Sequence, residues 1–82
     1  MTRPQGLEID FDVKAGYVSY SAGTVAETRE VWEQGTVAAD LDAEGTVAGI
    51  EVLDLDAETL SHARRYAHEH DLLFPTLVDL AS

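Results

Sequence analysis

The residues best placed to do chemistry lie in DLDAEGTVAGIE, residues 40–51. Asp40, Asp42 and Glu44 stand at its first, third and fifth positions, with Gly45 at the sixth, Val47 at the eighth and Glu51 at the twelfth. That spacing is close to a calcium-binding EF-hand loop, in which carboxylates converge on a cation around a sharp glycine turn. Such a loop needs an amphipathic helix on each side, whereas the flanks here, TVAADLD (36–42) and TVAGIEVLD (46–54), are rich in β-branched residues. Backbone that must continue a β-ladder cannot wrap an ion, and Glu44 is longer than the tight coordinating turn prefers. The stretch therefore reads as a hairpin turned at Ala43-Glu44-Gly45, with Gly45 supplying a positive φ, and no metal is expected there.

The remaining chemistry-bearing residues are read in the same way. Asp10, Asp12, Asp40 and Asp42 mostly alternate with apolar residues on strands, the pattern of a solvated sheet face. Glu51 differs, because it sits between Ile50 and Val52 in the most apolar strand, where burial would raise its pKa and make it an acid–base candidate. His62, His68 and His70 fall on one predicted helix at separations of about 240° and about 200° around its axis, so they cannot share a face and are expected to point to solvent. The chain has no Cys, which removes thiolate metal sites, disulfides and cysteine nucleophiles. No nucleophile elbow, phosphate loop or dinucleotide fingerprint is present. No catalytic, cofactor-binding or metal-binding residue is assigned, and Trp32 and the tyrosines are expected in the core or at an interface.

Eighty-two residues make one small domain, in which about 60 to 65% of the unfolded chain's surface is buried. Sixteen acidic residues against five Lys and Arg give a net charge of −11. Such a surface repels nucleic acid and anionic membranes, so neither is expected as a partner. No window has the length or hydropathy of a membrane span or of a signal-peptide core, which predicts a cytoplasmic protein.

The elements follow from periodicity. Leu7, Ile9 and Phe11 alternate with Glu8, Asp10 and Asp12 as a first strand. AGYVSYSAG reads as the second, paired back on the first, and the polar VAETREVW (25–32) as an edge strand. The hairpin at Gly45 supplies two more, bringing the sheet to residues 7–54. Asp56 then caps a helix assigned to residues 56–71, with Leu55 and Leu60 placed as a hydrophobic staple and Leu60, Ala63 and Ala67 as its apolar stripe. Residues 72–82 form an apolar tail in which Leu72, Leu73, Phe74, Leu77, Val78 and Leu80 crowd into nine positions. The expected fold is α+β: an antiparallel β-meander of about five strands packed by one C-terminal helix, with a short apolar C-terminal segment.

Residues 9–54 carry a family resemblance through Asp10, Ala15, Tyr17-Val18, Ser21, Gly23, Val25, Thr28, Asp40, Asp42, Gly45 and the run VAGIEVLD from Val47 to Asp54. On these residues the chain resembles the small prokaryotic proteins grouped as domain of unknown function 2283, whose typical VVGIEIL stretch matches that run with conservative changes. Phe11 stands where the family often has Pro, and an extra residue sits near Trp32-Glu33-Gln34. The resemblance implies a compact antiparallel sheet followed by a helix. It implies no catalytic residues, and it implies an association of some members with small toxin-like partners.

The expected function is a non-enzymatic protein-interaction module, self-associating as a homodimer. One helix covers one sheet face, and Val37, Leu41, Val47 and Leu53 are expected on the face opposite Ile50 and Val52, so the tail residues Leu72, Leu73, Phe74, Leu77, Val78 and Leu80 are assigned to the dimer interface. The alternatives are a small ligand-binding protein or hydrolase using carboxylates near Glu51, and an antitoxin-like partner of a small basic protein.

Overall fold

The computed structural model describes residues 1–32 and 36–75. Five strands, β1 (Gly6–Asp10), β2 (Ala15–Ser19), β3 (Glu27–Trp32), β4 (Val37–Leu41) and β5 (Val47–Val52), precede one helix, α1 (Ala57–Glu69). The strands form a single antiparallel sheet, so the α+β class and the C-terminal helix are as expected. Their spatial order is β1-β2-β5-β4-β3, not the sequential order of a meander. The most apolar strand, VAGIEV, thereby sits in the centre, while the charged GLEID and ETREVW take the edges, where carboxylates remain hydrated.

Local hydrogen bonds explain the turns. Asp10 Oδ1 accepts from the Asp12 and Val13 amides at 3.0 and 3.4 Å, closing β1–β2 around Lys14, whose φ of 55° is left-handed. In the β4–β5 hairpin Asp42 Oδ1 accepts from the amides of Glu44 and Thr46, both at 2.9 Å, and Gly45 has a φ of 84°. The carboxylate at the third position of the calcium-like spacing thus holds the backbone of a hairpin.

Helix α1 starts at Asp56, whose Oδ1 accepts from the Thr59 amide at 2.7 Å, and Leu60, Ala63 and Ala67 turn inward. They pack on Val18, Val37, Ala39, Leu41, Val47, Ile50 and Val52. The expectation that Val37, Leu41 and Val47 face away from Ile50 and Val52 is therefore corrected. Asp40 pairs with Gly49 but Leu41 pairs with Val47, so the ladder skips Ala48, and this bulge turns Val47 to the helix side. Leu53 lies beyond the strand and is exposed.

The tail assignment also changes. Leu72 and Phe74 belong to the chain's own core, which corrects their placement at a partner interface, and Leu73 alone of the described tail residues is exposed. The expected interface residues Leu77, Val78 and Leu80 lie outside the described residues. The reason is a double tether: the buried Tyr20 hydroxyl donates to the Leu73 carbonyl at 2.7 Å, and Thr2 pairs with Leu72 in a parallel bridge. Asp71, at a φ of 60°, turns the chain out of the helix toward that bridge. His62 departs from its expected solvent position by stacking on Trp32, with ring centroids 4.1 Å apart, because the edge of β3 lies under the helix there. No helix among the described residues is long and apolar enough to cross a membrane.

Candidate functional site

The helix covers one face of the sheet, and among the described residues no element packs on the other, which is here the open face. Register fixes what the open face presents. Glu8, Tyr17, Glu51, Ala38 and Glu30 stand side by side in one cross-strand row, and Gly6, Ser19, Gly49, Asp40 and Thr28 form the next. Directly opposed residues of antiparallel strands hold their Cβ atoms about 4.5 to 5.5 Å apart, so the first row is a continuous band of side chains, whereas the second is interrupted by bare backbone at Gly6 and Gly49.

One hydrogen-bonded chain joins the two rows. From β2, Tyr17 reaches across β5, and its hydroxyl donates to Asp40 Oδ2 on β4 at 2.9 Å. From β3, the Thr28 hydroxyl donates to Asp40 Oδ1 at 2.7 Å. The crossing depends on Gly49: a Cβ built there would fall against the phenol oxygen and the adjoining ring carbons of Tyr17, so the phenol end of the ring passes where a side chain would otherwise stand. Burial first, then the hydrogen bond to Asp40 and the charges of Asp40 and Glu51, push the Tyr17 phenol up from 10.0 to about 12. The group is a proton donor throughout the physiological range.

Glu51, the expected acid–base candidate, is exposed on this face beside Tyr17, since alternation turns it away from Ile50 and Val52. The burial expected of it between two apolar neighbours is not present. Asp40 has both oxygens engaged by hydroxyls and Asp42 holds the hairpin, so the carboxylates of the calcium-like spacing point to separate tasks. Among the described residues no three His, Cys, Asp or Glu side chains group as metal ligands would. A hollow of about 300 Å³ beside the rows is lined by Glu8, Asp10, Tyr17 and Glu51 together with Ile9, Ala15 and Gly16. Sequence reasoning missed Tyr17, Thr28 and Gly49 as members of one arrangement; the available signal was a glycine inside the most apolar strand, which marks close approach of another group.

The fold and this face define a small α+β domain with a rigid, hydroxyl- and carboxylate-bearing open sheet. Residues 7–55 match the family described as protein of unknown function (DUF2283), and the chain belongs to that family. The match spans β2 to β5 in full and β1 from Leu7 onward, includes every open-face residue named above except Gly6, and ends before α1. No curated protein and no solved structure matches the chain.

Proposed function

We propose that the protein is a non-enzymatic protein-interaction module that works through the open face of its sheet, in the cytoplasmic setting that the sequence suggests. The observation supporting this reading is the Tyr17–Asp40–Thr28 chain, which fixes side chains from three strands on a face that the helix leaves uncovered. Groups already held in place lose little freedom when a partner docks, which is what an interaction surface requires. A hydrolase built on Glu51 has less support, because Glu51 is exposed and the carboxylate that hydroxyl groups engage on this face, Asp40, accepts from two of them at once.

The test is a photo-crosslinking residue placed at Ser19 or Glu30 on the open face, or at Arg64 on the outer side of α1. The expected result is a discrete adduct from the open-face positions, suppressed by excess wild-type protein and not by a Tyr17→Thr competitor. Adducts of equal yield from Arg64, or none from the sheet, would refute the reading.

Self-association as a homodimer is the second reading. It is favoured by Leu7 and Leu73, each 39% exposed, which line one groove of about 510 Å³ beside edge strand β1. Light scattering should then give a dimer at tens of micromolar that Leu73→Asp converts to monomer; a monomeric parent protein removes this reading and leaves the first intact.

A further inference from the structure

The geometry points to an arginine-bearing basic segment of a partner protein as the occupant of the open face, its guanidinium stacked on the outward side of the Tyr17 ring between the Glu8 and Glu51 carboxylates. This rests on the interaction reading and names the partner's chemistry. Three features of the face converge on it.

The first is charge segregation. By register the open face carries Glu8, Asp10, Glu30, Asp40 and Glu51, while Arg29, the one Lys or Arg within the described strands, stands opposite Ala39 on the helix side. A face with five carboxylates and no strand cation, on a chain of net charge −11, attracts a cationic segment and repels a second copy of itself. The second is the ring. Tyr17 crosses Gly49 with the phenol end of its ring close to bare backbone and stays partly exposed, and a cation over the exposed part of such a ring is held by its quadrupole. The Asp40 hydrogen bond keeps the ring in that pose. The third is placement: Glu8 and Glu51 are the direct cross-strand neighbours of Tyr17 on either side, and the hollow of about 300 Å³ that Glu8, Asp10, Tyr17 and Glu51 share opens beside the ring. A planar guanidinium can stack and still donate sideways to two carboxylates, which a lysine ammonium cannot do.

The experiment is an amide NMR titration of the whole protein with tetra-arginine amide at low salt, with tetra-lysine amide and tetra-glutamate as comparison peptides. The expected shifts concentrate at Glu8, Tyr17, Gly49 and Glu51, with tetra-arginine binding more tightly than tetra-lysine and tetra-glutamate causing none. Tyr17→Leu should weaken tetra-arginine roughly two- to five-fold, the exposed-site worth of a cation–π contact. Glu8→Gln with Glu51→Gln, surface changes that leave the core intact, should weaken it roughly three- to ten-fold. Glu58→Gln with Glu69→Gln removes the same charge from α1 and should change nothing beyond about two-fold, as expected for screened, distant charges. Absence of binding, equal weakening by the helix pair, or shifts spread over the whole acidic surface would overturn the proposal. A concentration series of the protein alone separates the two levels. If tetra-arginine fails but open-face amides shift as the protein self-associates, the interaction reading survives without its cationic partner; if neither moves that face, both fall.

Discussion

Gly49→Ala tests the open-face network with one methyl group. Gly49 lies in a strand at ordinary backbone angles, so the substitution by itself stabilises by about 0.4 to 1 kcal/mol through lower entropy of the unfolded chain. The new Cβ, however, would occupy the space of the Tyr17 ring and approach its Cε2 to 3.0 Å, so the ring must lift away. Lifting it breaks the 2.9 Å bond to Asp40. A hydrogen bond to a charged acceptor contributes about 1.5 to 3 kcal/mol, and the partial exposure of Tyr17 places this one at the lower end. Adding about 1 kcal/mol for lost ring contact gives a net destabilisation of about 1.5 to 2 kcal/mol. Urea denaturation at constant m-value reads this directly. The decisive arm is a double-mutant cycle with Tyr17→Thr, which removes the ring and keeps a strand-forming residue. In that background Gly49→Ala should become neutral or stabilising. An equal cost in both backgrounds would show that the glycine is needed for something other than Tyr17 and would refute the reasoning.

Three further outcomes follow from other residues. Tyr17 and Tyr20 both have phenols pushed up to about 12, in Tyr20 by burial alone, and a folded pKa above the unfolded 10.0 gives stability that is complete below about pH 10 and lost as pH rises through about 12; phenolate absorbance should therefore appear together with unfolding, and titration of all three tyrosines near pH 10 in folded protein would contradict this. Gly45→Val places a β-branched residue at a φ of 84° and should cost about 1 to 3 kcal/mol in thermal or urea unfolding, with Gly45→Asn costing less; an unchanged Tm would mean that the turn is elsewhere. The Tyr66 hydroxyl oxygen is buried with no hydrogen-bond partner among the described residues, so Tyr66→Phe should be neutral or stabilising by up to about 1 kcal/mol, and a loss of more than that would reveal a partner.

Much of the fold was legible because periodicity reports burial. Alternation marked β1, runs of β-branched residues marked β4 and β5, the Gly45 turn marked the hairpin, and Asp56 with Leu60 marked the start of α1. Alternation does not report partners, which is why the order β1-β2-β5-β4-β3 was not available: any strand with one apolar face fits any neighbour. The skipped Ala48 was equally hidden, and without it Val47 counts to the wrong face. The register shift between Glu30 and Trp32 in β3 was hidden in the same way. The open-face network escaped for a different reason, since Tyr17, Thr28, Asp40 and Gly49 come from four strands and only tertiary pairing brings them together.

That strand order also divides the molecule into two locally connected pieces. β1 and β2 form one hairpin, and β3, β4 and β5 follow one another as neighbours in a second unit, so among the described strands the ladder joining the two is β2 to β5. Each unit can zip through short loops, whereas the seam must close over the long excursion between Ser19 and Val47 and pay its loop entropy last. The seam has two fasteners outside its own ladder: the Tyr20 and Ser21 amides donating to the Ala48 carbonyl at 2.8 and 3.2 Å, and the Tyr17 hydroxyl passing over β5 to Asp40. Amide exchange should therefore show β1–β2 opening as a block before β3–β4–β5. A cation seated on Tyr17 would bridge that same seam, with Glu8 on one unit and Glu51 on the other, so occupancy of the face would slow this block's opening in proportion to affinity.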